Sequence, residues 1–81
     1  MNNITKKVVL VTGGARGIGA DICRKLALKG YSVAIGYNSS EMEALELKQD
    51  LLSLGVDSDI FKADISNPNE VRKMFINIDN R

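Results

Sequence analysis

The stretch Val8–Gly19 reads V-V-L-V-T-G-G-A-R-G-I-G, and no other stretch constrains the fold as much. Its apolar, β-branched start predicts a buried strand, its glycines a sharp turn, and its end the opening of a helix. A helix that opens on such a turn has first-turn N–H groups with no partner inside it. Those groups point into space that glycines keep clear, and the helix dipole favours negative charge there. The stretch therefore reads as an anion cradle.

Spacing narrows the anion. Gly13, Gly17 and Gly19 give G-x-x-x-G-x-G. A Walker A loop needs Lys and then Ser or Thr directly after its last glycine, whereas Ala20 and Asp21 follow Gly19. The G-x-G-x-x-G fingerprint does not match either. Between a strand and a helix, a dinucleotide pyrophosphate is the guest this geometry suits.

The chain has 81 residues, enough for one small domain at most. A chain of that size buries only about 60–65% of its unfolded surface, so its core is marginal. Its net charge is +1 and it has no long basic run, which argues against nucleic acid or membrane as the main partner. Lys6 and Lys7 precede an apolar run, but Thr12 and the glycines cut that run short. It is too brief for a membrane span and lacks the shape of a signal peptide. The one cysteine, Cys23, cannot form an internal disulfide, so a cytoplasmic setting is expected. The chain contains no histidine, which removes His-based catalysis and His-ligated metal from this segment.

Along the chain, strands are expected at 7–12, 32–36 and 58–63, and helices at 17–29, at about 41–54 and from Pro68 onward. Ile18, Ile22 and Leu26 give the first helix an apolar face, with Cys23 and Ala27 beside it, and Gly30 stops it. Ser40 with Glu43 reads as a capping box for the second helix, with Ala44, Leu47, Leu51 and Leu54 inward, Leu45 and Leu52 flanking, and Gly55 at its end. Asn67-Pro68-Asn69-Glu70 announces the third helix, striped by Val71, Met74, Phe75 and Ile78. Cys23, Met42 and Met74 read as packing residues, and Asp57 and Asp59 as solvent contacts, not a metal site.

The order β-α-β-α-β-α implies an α/β, Rossmann-type, doubly wound parallel sheet with right-handed crossovers. Three such strands build one half of that sheet, in the order 3-2-1. The first strand then stands at an open apolar edge, which is an aggregation liability. Residues 1–81 are thus expected to be the N-terminal part of a single NAD(P)-binding domain, with no linker and no second domain.

Thr12-Gly13-Gly14-Ala15-Arg16-Gly17-Ile18-Gly19 resembles the T-G-x-x-x-G-I-G signature of the short-chain dehydrogenase/reductase family. Lys62-Ala63-Asp64-Ile65-Ser66 is a second match, and the resemblance covers the whole chain in order and spacing. Within the family the chain is most similar to 3-oxoacyl-acyl-carrier-protein reductases of fatty acid synthesis. The resemblance implies that Asp64 hydrogen-bonds the adenine and that Ile65 packs against it. It also implies a catalytic Ser, a Tyr-x-x-x-Lys pair and an Asn-Asn-Ala-Gly motif, none of which occurs in this sequence. Tyr31 is followed four places on by Ile35, and Tyr37 by Glu41, so neither tyrosine has its lysine. No residue here is expected to be catalytic, and the chain alone is expected to be inactive.

NAD sites usually place an acid about 20 residues after the glycines, on the ribose 2′-OH. Here that stretch is Gly36-Tyr37-Asn38-Ser39-Ser40, with no acid before Glu41. Arg16 in the glycine loop offers a guanidinium fork to a 2′-phosphate. NADP(H) is therefore expected over NAD(H). The expected cofactor-binding residues are Gly13, Ala15, Arg16, Gly17, Ile18, Gly19, Tyr37, Asn38, Ser39, Asp64 and Ile65. The family implies an oxidoreductase that passes hydride from NADPH to a small or carrier-bound carbonyl substrate, and a full-length protein that forms homo-oligomers. Two other readings stay open, a non-catalytic dinucleotide-binding module and an inactive truncated product.

Overall fold

The computed structural model describes residues 8–79. β1 (Val8–Thr12), β2 (Ser32–Tyr37) and β3 (Ser58–Lys62) alternate with α1 (Gly17–Leu28), α2 (Glu41–Ser53) and α3 (Pro68–Asp79). The expected strand start at Lys7 lies outside the described residues. β2 is central and parallel to both neighbours, with Leu10 opposite Ala34 and Ile35 opposite Ile60. The sheet order is thus the expected 3-2-1, and every residue of β2 is buried. A central parallel strand covered on both faces needs apolar residues throughout, as Ser-Val-Ala-Ile-Gly-Tyr nearly provides.

The core lies between the sheet and the pair α1 and α2. Val33, Ile35 and Tyr37 meet Ala20, Cys23 and Ala27 of α1 and Ala44, Leu47 and Leu51 of α2 in one buried cluster. Strand alternation turns Ala34 and Gly36 to the other face. There α3 contributes Met74, which is buried outside that cluster, as are Ala34 and Ala63. Arg24 links the two helices at the surface, 3.5 Å from Asp21 and 3.4 Å from Asp50. Exposed pairs of this kind contribute at most about 1 kcal/mol.

Several side chains depart from the expected faces. Ile18 and Ile22 are exposed, at 80% and 44%, and α1 instead buries the small residues Ala20, Cys23 and Ala27. Small side chains let the helix lie close to the sheet, while no described element covers the Ile18–Ile22 flank. Leu54, the C-cap one residue past α2, is exposed and not inward as expected. Phe75 is half exposed while its neighbour Met74 is buried, because α3 packs chiefly on the edge strand β3 and has a narrow covered face. Asp59 is not a plain solvent contact. It is half-buried and 3.2 Å from the Lys48 ammonium.

The helix starts also differ from one another. Asn67 caps α3 as expected, its Oδ1 accepting the N–H groups of Asn69 at 3.0 Å and Glu70 at 3.4 Å. Ser40 forms no capping box. Its ψ of 55° is far from the extended cap geometry and its hydroxyl makes no cap bond, although its carbonyl accepts the Ala44 N–H at 2.9 Å.

Candidate functional site

The C-terminal ends of the three parallel strands converge on one edge of the molecule, where ligands of open α/β sheets bind. The glycine loop crosses this edge. It is tied to the central strand by the Gly14 N–H, which donates to the Gly36 carbonyl at 3.2 Å. Gly13 and Gly17 have φ of +66° and +58°, and a Cβ on either would meet nothing within 4 Å. Their need for glycine is conformational, in a left-handed region that L side chains rarely adopt. Gly19 is a different case, since its Cα packs against the backbone of Gly13 and Gly14.

Arg16 is the N-cap of α1, extended at φ −139° and ψ 157°, with no side-chain cap bond on the helix. The first turn of α1 carries no acidic residue. Its free N–H groups and its dipole are therefore not neutralised from within, a state that suits an anion.

Two adjoining hollows flank the loop. One, of about 200 Å³, is lined by Gly13, Ala15, Arg16, Tyr37, Asn38, Ser39 and Ser40. The other, of about 110 Å³, is lined by Thr12, Gly13, Gly36, Tyr37, Asn38, Ala63, Ile65 and Met74. The structure thus gathers Arg16, Asn38 and Ser39 around one space, although β2 separates them along the chain. Ile65 stands at the second hollow. Gly17, Ile18, Gly19 and Asp64, also singled out by the sequence, line neither.

Thr12, Gly36, Ala63, Met74 and Ser40 line the hollows but were not among the residues expected to bind. For Thr12, Gly36 and Ala63 the signal was available, because each ends or just follows a strand. Ser40 is better placed as a hydroxyl at the Arg16 hollow than as a helix cap.

Two groups near the C-terminal ends of β2 and β3 are shifted from their ordinary titration ranges. Burial raises the Tyr37 phenol above its usual range, and the charge and hydrogen bonding of Glu41 raise it further. An acid therefore approaches the end of β2 after all, held against Tyr37. Asp64 is pushed the other way, its carboxyl lowered by the Ser66 hydroxyl and then by the Ser66 backbone N–H.

A separate cavity of about 130 Å³ lies toward the opposite ends of the strands, between Val8, Ala34, Asp57, Ser58, Phe61 and Ile78. Ser58 Oγ, buried there, has no hydrogen-bond partner among the described residues. The glycine loop contributes nothing to that cavity. Among the described residues, no group of three or more Cys, Asp or Glu could hold a metal ion, and no helix is long and apolar enough to cross a membrane.

The short chain dehydrogenase model matches residues 7–81. A hydroxynaphthalene reductase-like protein of Metarhizium robertsii is 42% identical over 73 residues, covering 90% of this chain and 27% of that protein. A 3-oxoacyl-acyl-carrier-protein reductase of Staphylococcus aureus is 40% identical over 68 residues, covering 84% of this chain and 28% of that protein. Among solved structures, a dehydrogenase from Burkholderia cenocepacia with bound NADP superposes with a TM-score of 0.84 at 37% identity, over 89% of this chain and 28% of the other. A short chain dehydrogenase from the same species in complex with NADP gives 0.79 at 41% identity, over 84% and 27%. The chain thus spans little more than a quarter of the length of these relatives. With the glycine loop, the parallel 3-2-1 sheet and this match along nearly the whole sequence, the chain belongs to the short chain dehydrogenase family.

Proposed function

We propose that this chain holds the adenosine and pyrophosphate portion of NADP(H), in preference to NAD(H), as the first part of one dinucleotide-binding domain. The observation that carries this reading is the hollow shared by Gly13, Arg16, Asn38 and Ser39. A guanidinium and neutral hydrogen-bonding groups stand together there, beside a helix start free of acids. A 2′-phosphate gains a charge-assisted partner in such a place, whereas a bare ribose hydroxyl gains little from Arg16. Nothing lies within 4 Å of a Cβ placed on Gly13 or Gly17, and Gly13, Ala15 and Arg16 line a hollow beside an α1 start that carries no acid, so the residues present fit an anionic group.

On this reading the whole protein is an NADPH-dependent carbonyl reductase of the cytoplasm. Its substrate class is a 3-oxoacyl thioester on a carrier protein, as the name of the Staphylococcus aureus relative suggests, and it works as a homo-oligomer. Bound NADPH supplies the hydride. The residues of this chain bind and orient the cofactor, and neither tyrosine is paired with the lysine that carbonyl protonation needs.

Thermal unfolding of the 81-residue protein with NADPH or NADH tests the reading. A ligand that binds only the folded state stabilises it by RT ln(1 + L/Kd), where L is the free ligand concentration, so at equal concentration the tighter ligand raises the unfolding temperature more. The expected result is a larger rise with NADPH than with NADH, and no oxidation of NADPH when a 3-oxoacyl thioester is added. Equal stabilisation by both cofactors overturns the NADP(H) preference, and stabilisation by neither overturns the binding role. Turnover of the thioester overturns the absence of catalytic residues.

A further inference from the structure

The two edges of the sheet are built differently. β3 closes one of them with Ser-Asp-Ile-Phe-Lys, in which Asp59 is 3.2 Å from the Lys48 ammonium and Lys62 is exposed. Charges of this kind protect an edge, because a strand docking there would have to desolvate them. β1 closes the other edge with Val-Val-Leu-Val-Thr, which carries no charge and no proline. Its five residues pair one for one with Ser32–Gly36, so no bulge twists the strand away. Among the described residues β1 has β2 as its single neighbour, and none of its residues is buried. Alternate residues of β1 therefore turn backbone N–H and C=O groups outward, along an apolar strip.

The strip continues onto α1. Arg24 faces α2, where it meets Asp50, and α2 packs on β2 and β3. Ile22 stands roughly 160° around the helix from Arg24. It projects from the flank away from α2 and toward the β1 edge, and Ile18 extends that flank by one turn. A partner that covers both features needs an extended apolar strand with an apolar body above it, and a second copy of this chain supplies both. A two-fold axis perpendicular to the sheet at Leu10 sets β1 antiparallel to its copy, so that each edge offers the groups the other lacks. α1 packs on both β1 and β2, which puts its axis about half a strand spacing inside β1. With strands roughly 4.8 Å apart, the two α1 helices then lie about 10 Å apart, a distance at which helices pack. Ile22 meets the partner's Ile22 there. We propose that this chain forms a symmetric dimer through β1 and the Ile22 flank of α1. The composite sheet runs β3-β2-β1-β1-β2-β3, and the charged β3 edges at its two ends stop growth at two chains.

Sedimentation equilibrium of the 81-residue protein over a wide concentration range tests this. A reversible monomer–dimer equilibrium is expected. Ile22→Lys sets like charges against each other across the two-fold axis and is expected to weaken dimerisation by at least about tenfold, whereas Ile22→Leu retains it. Should Ile22→Lys fail to fold, Val8→Lys places a charge on the strand edge at a residue that is 56% exposed, and it must weaken the dimer too. Amide hydrogen exchange gives a second readout. Protection within Val8–Thr12 should rise with concentration in the parent and not in Ile22→Lys. A monomer at every concentration overturns the dimer. Dimers that both lysine variants leave intact place the contact elsewhere and overturn this interface. Growth beyond two chains overturns the closure that the β3 charges provide.

Discussion

A Cβ built on Gly19 would stand 2.9 Å from the Cα of Gly14, backbone against backbone across the loop. Neither partner can rotate away, so a methyl group there must push the first turn of α1 off the loop. Overpacking of this kind costs about 1–3 kcal/mol. In a domain this small each kcal/mol lowers the unfolding temperature by about 4–8 °C. Gly19→Ala is therefore expected to unfold about 10 °C lower than the parent in a circular-dichroism melt, and to lose dinucleotide binding. A melt within 2 °C of the parent (a difference of roughly a quarter of a kcal/mol or so) would show that the loop can give.

Gly17 makes a contrasting prediction from the same loop. Its φ is +58° but nothing lies within 4 Å of its missing Cβ. Alanine there meets conformational strain of roughly 1–2 kcal/mol and no clash, and asparagine tolerates the left-handed region better. The expected order of unfolding temperatures is Gly17→Asn above Gly17→Ala above Gly19→Ala. Finding Gly17→Ala the least stable of the three would mean that φ matters more than packing here.

Much of this molecule is legible in the sequence because periodicity and punctuation agree. Gly30 and Gly55 follow the ends of α1 and α2, and Asn67-Pro68 opens α3 as its chemistry requires. Faces are harder to read. Ile18 and Ile22 look like core by residue type, yet burial is decided by what lies opposite, and no described element lies opposite them. The approach of Glu41 to Tyr37 is hidden for a related reason. The sequence shows Glu41 only as the first residue past the strand end, whereas the fold brings its charge onto the phenol. The same holds for Arg16, Asn38 and Ser39, which share a hollow only once β1 and β2 pair in register.

Arg16 should act on one cofactor and spare the other. It is exposed at the N-cap of α1 and gives the helix no side-chain cap, so its removal leaves the fold intact. Arg16→Ala is expected to weaken NADPH binding by about tenfold, the value of a charge-assisted contact, while NADH binding changes by less than about twofold. Raising the salt concentration should erode the parent's preference and leave the variant's unchanged, because the lost contact is ionic. Calorimetric titration at two ionic strengths reads both effects. An equal loss for both cofactors would place Arg16 on the pyrophosphate and not on the 2′-phosphate.

Cys23 gives the protein a pH dependence of definite sign. Its side chain is fully buried, with Sγ 3.8 Å from the Gly14 carbonyl, and burial raises the thiol from 9.0 to about 11 despite the opposing charge of Arg24. The folded state therefore favours the neutral thiol. That contribution is fully present below pH 9 and is lost as pH rises toward about 11, because the unfolded chain releases its proton first. Denaturation midpoints measured in reducing buffer should fall faster over this interval for the parent than for Cys23→Ala. The comparison cancels the titration of other groups in the same range, Tyr37 among them. Iodoacetamide at pH 8 should label the native protein far more slowly than the unfolded chain, since the reactive thiolate is both scarce and enclosed. Parallel pH profiles for parent and variant, together with rapid native labelling, would place Cys23 at an accessible surface and contradict its burial under the glycine loop.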